Sequence, residues 1–227
     1  MVHVYYHIYS IPNVESIIDE QLSLIEAHFN FPFILNIGIS IYDENSPTDN
    51  ILKKIKELNK SNYFIRDIKF QDYEWVTLNL IQNDKINFKD DDLIFYFHTK
   101  GASRIKDICY PNEVSWRHIM NYFNIEESNS AIEILNKNEY NTYGIFLDGH
   151  PKLWWYSGNF FWLRADYVKS INLEGVELTS RCNAEINYIQ NGIEWKPYSA
   201  YNLNSTPNTI PIDYYNTIFN REEYIKK

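Results

Sequence analysis

The order of hydrophobic patterns between Val2 and Phe97 constrains this chain more than any other feature. Val2 to Ser10 is rich in β-branched and aromatic residues, breaks at Ile11-Pro12-Asn13, and gives way to helical spacing from Val14 to Phe29. Phe33 to Tyr42 repeats the strand pattern, and Thr48 is placed to cap a helix with Ile51, Leu52, Ile55 and Leu58 on one face. Tyr63 to Phe70 reads as a third strand and Tyr73 to Gln82 as a third helix. Leu93 to Phe97 is continuously apolar, as expected of a strand covered on both faces. Short strands alternating with helices call for right-handed crossovers and a mostly parallel sheet. The predicted fold class is α/β, a single α/β/α sandwich. Ligands of such sheets bind at the carboxyl ends of strands, here the loops after Tyr9, Tyr42, Phe70 and Phe97.

Further along, Ser115 to Phe123 and Ser130 to Asn136 read as helices, Thr142 to Leu147 as a strand and Asp148 to Tyr156 as an aromatic loop. Asn159 to Leu163 follows as a strand, then Ala165 to Ile171 and Ser180 to Gln190 as helices. No repeat or linker divides the pattern, so residues 1–201 are expected to form one domain, with 202–227 a loop and short helix on it. At 227 residues and 44% apolar content the chain can bury a sizeable core. Its net charge of -9 gives no footprint for a nucleic-acid duplex. The amino terminus alternates like a strand, and no run approaches the roughly 18 apolar residues of a membrane span. Cys109 and Cys182 are far apart and outside metal-site spacings, which reads as reduced thiols in a cytoplasmic protein.

The densest local chemistry is His98-Thr99-Lys100-Gly101-Ala102-Ser103, directly after the apolar strand. Gly101 permits close backbone approach, and Lys100 favours an anion such as a phosphate. Neither a P-loop nor a Gly-x-Gly-x-x-Gly fingerprint is present, which argues against a dinucleotide-dependent oxidoreductase. Asp90-Asp91-Asp92 carries hard metal-type ligands, but it precedes the strand, whose five residues put it about 17 Å from the ligand edge, and it reads as a solvated turn at the wrong end of the sheet. In the stretch from Asp148 to Trp162, Trp154, Trp155 or Tyr156 could stack on a sugar ring, with Ser157 and Asn159 bonding hydroxyls. Phe160, Phe161 and Trp162 are assigned to the core, while Trp154 and Trp155 stay open between core and ligand. Asp72 is either a hydrogen-bond acceptor for a base or ribose or the N-cap of the next helix. Arg181 and Glu185 form, by default, a weak surface pair.

In this order, Asp72, His98-Thr99-Lys100-Gly101, Trp116 and Tyr156-Ser157-Gly158-Asn159-Phe160-Phe161-Trp162 resemble glycosyltransferases of the GT-A type. The likeness is to transferases of large DNA viruses and of bacterial surface-polysaccharide clusters, including rhamnan-synthesis-type proteins. Asp72 follows Gln71 where that group has Gly-Arg. The resemblance implies transfer of a sugar, with inversion, from a nucleoside diphosphate sugar to a hydroxyl of a glycan or glycoprotein acceptor. It puts Tyr9, Ser10, Asp72, His98, Thr99, Lys100 and Gly101 on the donor side. Trp154, Trp155, Tyr156, Ser157 and Asn159 fall on the acceptor side, and Glu185, or in competition Asp148, becomes the base. GT-A enzymes carry Asp-x-Asp for a divalent ion, Mn²⁺ or Mg²⁺, where this chain has His98-x-Lys100. Lys100 then stabilises the leaving diphosphate, with His98 as donor or the one metal ligand. The competing expectation is a non-catalytic carbohydrate-binding module that keeps the fold.

Overall fold

The computed structural model describes residues 1–58, 60–150, 153–180, 183–184, 188–202 and 213–226. The first half follows the expected alternation: β1 (Val2–Ser10), α1 (Glu15–His28), β2 (Phe33–Ile41), α2 (Thr48–Glu57), β3 (Tyr63–Phe70), α3 (Trp75–Asp84) and β4 (Leu93–His98). It continues with α4 (Tyr110–Asn121), α5 (Ser128–Asn136), β5 (Thr142–Gly144), β6 (Leu147–His150), β7 (Leu153–Tyr156), β8 (Phe161–Arg164), α6 (Ala165–Ser170), β9 (Pro197–Ser199) and α7 (Arg221–Tyr224). Seven strands form one sheet in the order β3-β2-β1-β4-β8-β5-β9. The pairs among β1 to β4 are parallel, as is β5 with β9, whereas β8 runs antiparallel to both β4 and β5.

The period-two alternation of the strands supplies a core on each side of the sheet. Val4, Tyr6 and Ile8 pack with α1, α2 and α4, while Tyr5, Ile94 and Tyr96 pack with α3 and α6. Every residue of β4 is buried, as its unbroken apolar run requires. Phe160, Phe161 and Trp162 are core residues. So are Tyr214, Phe219 and Tyr224, which press the carboxyl-terminal segment into the α1/α4 side. Among the described residues, no helix is long and apolar enough to cross a membrane.

Several local expectations are corrected. Asp148 to Tyr156 is not a loop: β6 and β7 pair antiparallel, Leu147 opposite Tyr156 and Asp148 opposite Trp155, because consecutive aromatics favour a pleated surface. The strand expected over Thr142 to Leu147 breaks at Phe146, whose left-handed φ of 54° sends the chain from the main sheet into this hairpin. α4 starts at Tyr110, earlier than expected, because Pro111 is tolerated in a first turn where its missing N–H is no loss. α3 starts at Trp75, since Tyr73 has φ 46° and cannot be helical, so Asp72 is not an N-cap. Tyr188 to Gln190 is a turn, so no helix reaches Gln190; Arg181, Cys182 and Glu185 lie outside the described residues.

Asp92 is buried rather than solvated. Its carboxylate bonds the terminal amine at 3.0 Å, His3 Nε2 at 3.2 Å and the Lys89 amide at 2.8 Å. Burial pushes that carboxyl up, but the bonds and the nearby charges outweigh it and hold it below the usual range. This is a structural lock at the edge of the sheet opposite the ligand-type loops.

Candidate functional site

The carboxyl end of β4 runs into a tightly held loop. Thr99 donates its amide to the His7 carbonyl at 3.0 Å, and its hydroxyl oxygen accepts the Tyr9 amide at 2.9 Å. Gln21 Nε2 donates to the His98 carbonyl at 3.0 Å, and Arg117 Nη1 to the Lys100 carbonyl at 3.0 Å. Gly101 turns the chain with φ 82°, and a Cβ there would lie 3.3 Å from Arg117 Nη1. Only glycine meets both demands without strain.

Arg117 itself is 3% exposed and is held by Glu20 through two bonds, Nε at 3.0 Å and Nη2 at 2.8 Å. Asn121 adds a third donor to Glu20. Burial alone would raise the Glu20 carboxyl, but bonds and charge from His118 and Arg117 win and hold it at about 2.

Lys100 is buried, with Nζ 3.8 Å from the centroid of Trp116. Trp116 stacks nearly parallel on Tyr214 at 4.4 Å. The hydroxyls of Tyr214 and Ser157 both donate to Asp148 Oδ2, and burial, with the Asp148 charge, pushes the Tyr214 phenol up. His98 Nε2 lies 2.9 Å from the Gly158 carbonyl. A carbonyl only accepts, so Nε2 carries the proton.

These residues meet at a cavity of about 80 Å³ lined by His7, Tyr9, Glu74, His98, Lys100 and Arg104 among others. A wider hollow of about 380 Å³ adjoins it through Tyr9, Ala102 and Ser103, and is walled by Tyr42 and Asp43 at the end of β2. Both lie where the parallel strands end.

The structure brings together Tyr9, His98, Thr99, Lys100 and Gly101, all of which line this cavity. Ser10 is turned away: it is buried with its hydroxyl 3.0 Å from that of Thr48, since it points to the face opposite Tyr9. Asp72 stands outside the lining with Lys69 at 3.9 Å; nearby Glu74, 9% exposed, reaches the cavity in its stead. Left-handed φ angles at Gln71 and Tyr73 bend the chain around Asp72 to achieve this.

Trp154 and Trp155 are half-buried in the hairpin. Tyr156 is a core residue, its hydroxyl shared by Thr142 and the Tyr198 carbonyl, which leaves no face for a sugar. Ser157 is committed to Asp148, and Asp148 is wholly buried. Asn159 is 2% exposed, and among the described residues both of its amide atoms lack a hydrogen-bond partner, as does Trp116 Nε1. An unmade buried hydrogen bond costs about 1–3 kcal/mol, which a bound polar group would recover.

The residues of the His98-x-Lys100 slot do not fit a divalent ion. With Nε2 donating, His98 could offer only Nδ1, a single nitrogen beside the positive charge of Lys100, and no cluster of His, Cys, Asp or Glu suited to a metal occurs among the described residues. His7, Glu74, Arg104, Glu113 and Tyr215 also line the cavity and were not singled out from sequence. Only His7 had a signal, its spacing of two from Tyr9 on one strand face. No protein-family model and no curated protein matches the chain.

Proposed function

We propose that the protein is a GT-A-type glycosyltransferase that moves a sugar from a nucleoside diphosphate sugar to an acceptor hydroxyl without a bound metal. The observation that carries this reading is the placement of His98, Thr99, Lys100 and Gly101 in one cavity at the carboxyl ends of β1 and β4. An open α/β sheet of mostly parallel strands is compatible with that fold. The nucleobase would lie in the wider hollow against Tyr9 and Tyr42, and the diphosphate against Lys100.

As the acceptor oxygen bonds to the anomeric carbon, the bond from that carbon to the diphosphate breaks, and Lys100 offsets the charge that develops on the leaving oxygen. The acceptor proton passes to a carboxylate. Asp148, buried beneath Tyr214 and Ser157, is poorly placed to receive it, so this role falls to Glu185 in our reading. The unpartnered amide of Asn159 would bond a sugar hydroxyl.

A thermal-shift panel of UDP-, GDP- and dTDP-sugars, with and without Mn²⁺, tests the proposal. A rise with at least one donor, equal with and without the ion, is expected; no shift with any donor would remove it. The enclosure of Asp148 also favours a module that binds carbohydrate without turnover. Binding of glycans but of no nucleotide sugar would decide for that reading.

A further inference from the structure

Arg66, Arg117, Arg164 and Arg221 each close a two-bond fork on a single carboxylate. Arg104, at the rim of the cavity, does not. Its Nε faces Glu113 Oε1 at 3.4 Å, and Glu113 is itself 2% exposed. Nη1 donates to Cys109 Sγ at 3.7 Å and lies 3.6 Å from Asp107, and Nη2 has no partner among the described residues. The guanidinium plane is nevertheless set, because it lies 4.1 Å over the ring of Tyr215.

Tyr215 is fixed in turn by Asn112 Nδ2, which donates to its carbonyl at 2.6 Å, and it meets Trp116 edge-on at 5.9 Å. The two cations of the cavity therefore rest on two rings that touch each other, Lys100 on Trp116 and Arg104 on Tyr215. A guanidinium oriented from behind, with Nη2 unpartnered among the described residues and Nη1 held only by the weak acceptor Cys109 Sγ and a 3.6 Å ion pair with Asp107, can turn those two donors to a planar two-bond grip on a phosphate, which an ammonium cannot make.

We propose that Arg104 is the second arm of the phosphate grip, taking the terminal phosphate of the diphosphate while Glu113 and Tyr215 act as its positioning residues. This rests on the nucleotide-sugar reading for its ligand but not for its chemistry, because pyrophosphate alone would be gripped in the same way. Lys100 is a point charge, and Arg104 adds the geometry that tells a diphosphate from a monophosphate.

The test is calorimetric titration of the full chain with pyrophosphate and with UDP, UMP, GDP and GMP. Arg104→Gln should weaken pyrophosphate and the diphosphate that binds by about tenfold or more, and the monophosphate by no more than about twofold. Arg104→Lys should recover part of that loss, and it carries the test if the Gln variant fails to fold. Tyr215→Leu should show the same preference for diphosphate over monophosphate in what it loses, at smaller size; an equal loss for both would mean that Tyr215 only supports the fold. Unchanged diphosphate affinity in both Arg104 variants, or equal loss of mono- and diphosphate, overturns the proposal and leaves the donor reading standing. Wild-type binding of pyrophosphate, lost in Arg104→Gln, without binding of any nucleotide keeps the grip and ends the donor reading. Wild-type binding of neither ends both.

Discussion

His98 Nε2 donates to the carbonyl of Gly158 across 2.9 Å, joining two segments 60 residues apart in the chain. The bond ties the end of β4 to the turn between β7 and β8. Gly158 has φ 96°, and a Cβ there would stand 2.3 Å from Met120 Sδ. The loop after β4 and the Ser157-Gly158-Asn159 turn are thus tied together by this bond, beside the ring contact of His98 with Phe160 at 5.2 Å.

Gly158→Ala should be costly on two counts, the left-handed backbone and the clash with Met120. We expect a loss of about 2–4 kcal/mol, read from urea denaturation. A loss below about 0.5 kcal/mol would show that the turn and Met120 relax freely.

Glu20→Gln should destabilise by about 3 kcal/mol, because it leaves Arg117 buried without its counter-charge. Since the folded carboxyl is held at about 2, below its unfolded value, the wild type gains stability from Glu20 at pH above the unfolded range. That gain should fall away as the pH drops through the unfolded value toward about 2, and thermal melts of the Gln variant should be flatter across the same window.

Lys100→Ala should lower the affinity for a nucleoside diphosphate by about tenfold to a hundredfold, the worth of one charge-assisted contact in a dry site. Donor binding should change the tryptophan fluorescence of the wild type as Lys100 shifts over Trp116, and this signal should vanish in Trp116→Phe. Addition of a chelator should leave both affinity and signal as they were.

Asn159→Gly keeps the left-handed backbone at φ 59° and removes an amide with no partner among the described residues. Stability should hold within about 1 kcal/mol while transfer falls by about tenfold. Equal turnover in the variant would show that Asn159 touches no substrate.

Glu185→Gln should abolish transfer and leave donor binding intact, as expected of a base that acts only on the acceptor. Retained turnover would move the role to Asp148 or to a retaining reaction. Asp148→Asn should destabilise the fold, because the amide keeps one oxygen to accept from Ser157 and Tyr214 but buries an NH2 where the other carboxylate oxygen lay.

Much of the first half was legible because its signals are local. The alternation from Val2 to Ser10, the helical spacing after Val14 and the apolar run ending at Phe97 each report burial by near neighbours in sequence. The second half was less legible. The aromatics of β7 satisfy a strand, a loop or a binding face equally well, and the left-handed turns at Tyr73 and Phe146 occur in residues that carry no glycine-like signal.

The amino-acid order by itself determined the α/β class, the parallel run of β1 to β4 and the position of His98 to Gly101 at the ligand edge. Periodicity records which face of each element is covered, and a buried central strand can end in only one kind of place. The tertiary structure alone decided which groups surround Lys100: Glu74 in place of Asp72, Ser10 turned inward, and Arg104 set between Glu113 and Tyr215. Those contacts join parts of the chain far apart in sequence, and strand order and helix packing, rather than any local pattern, bring them together.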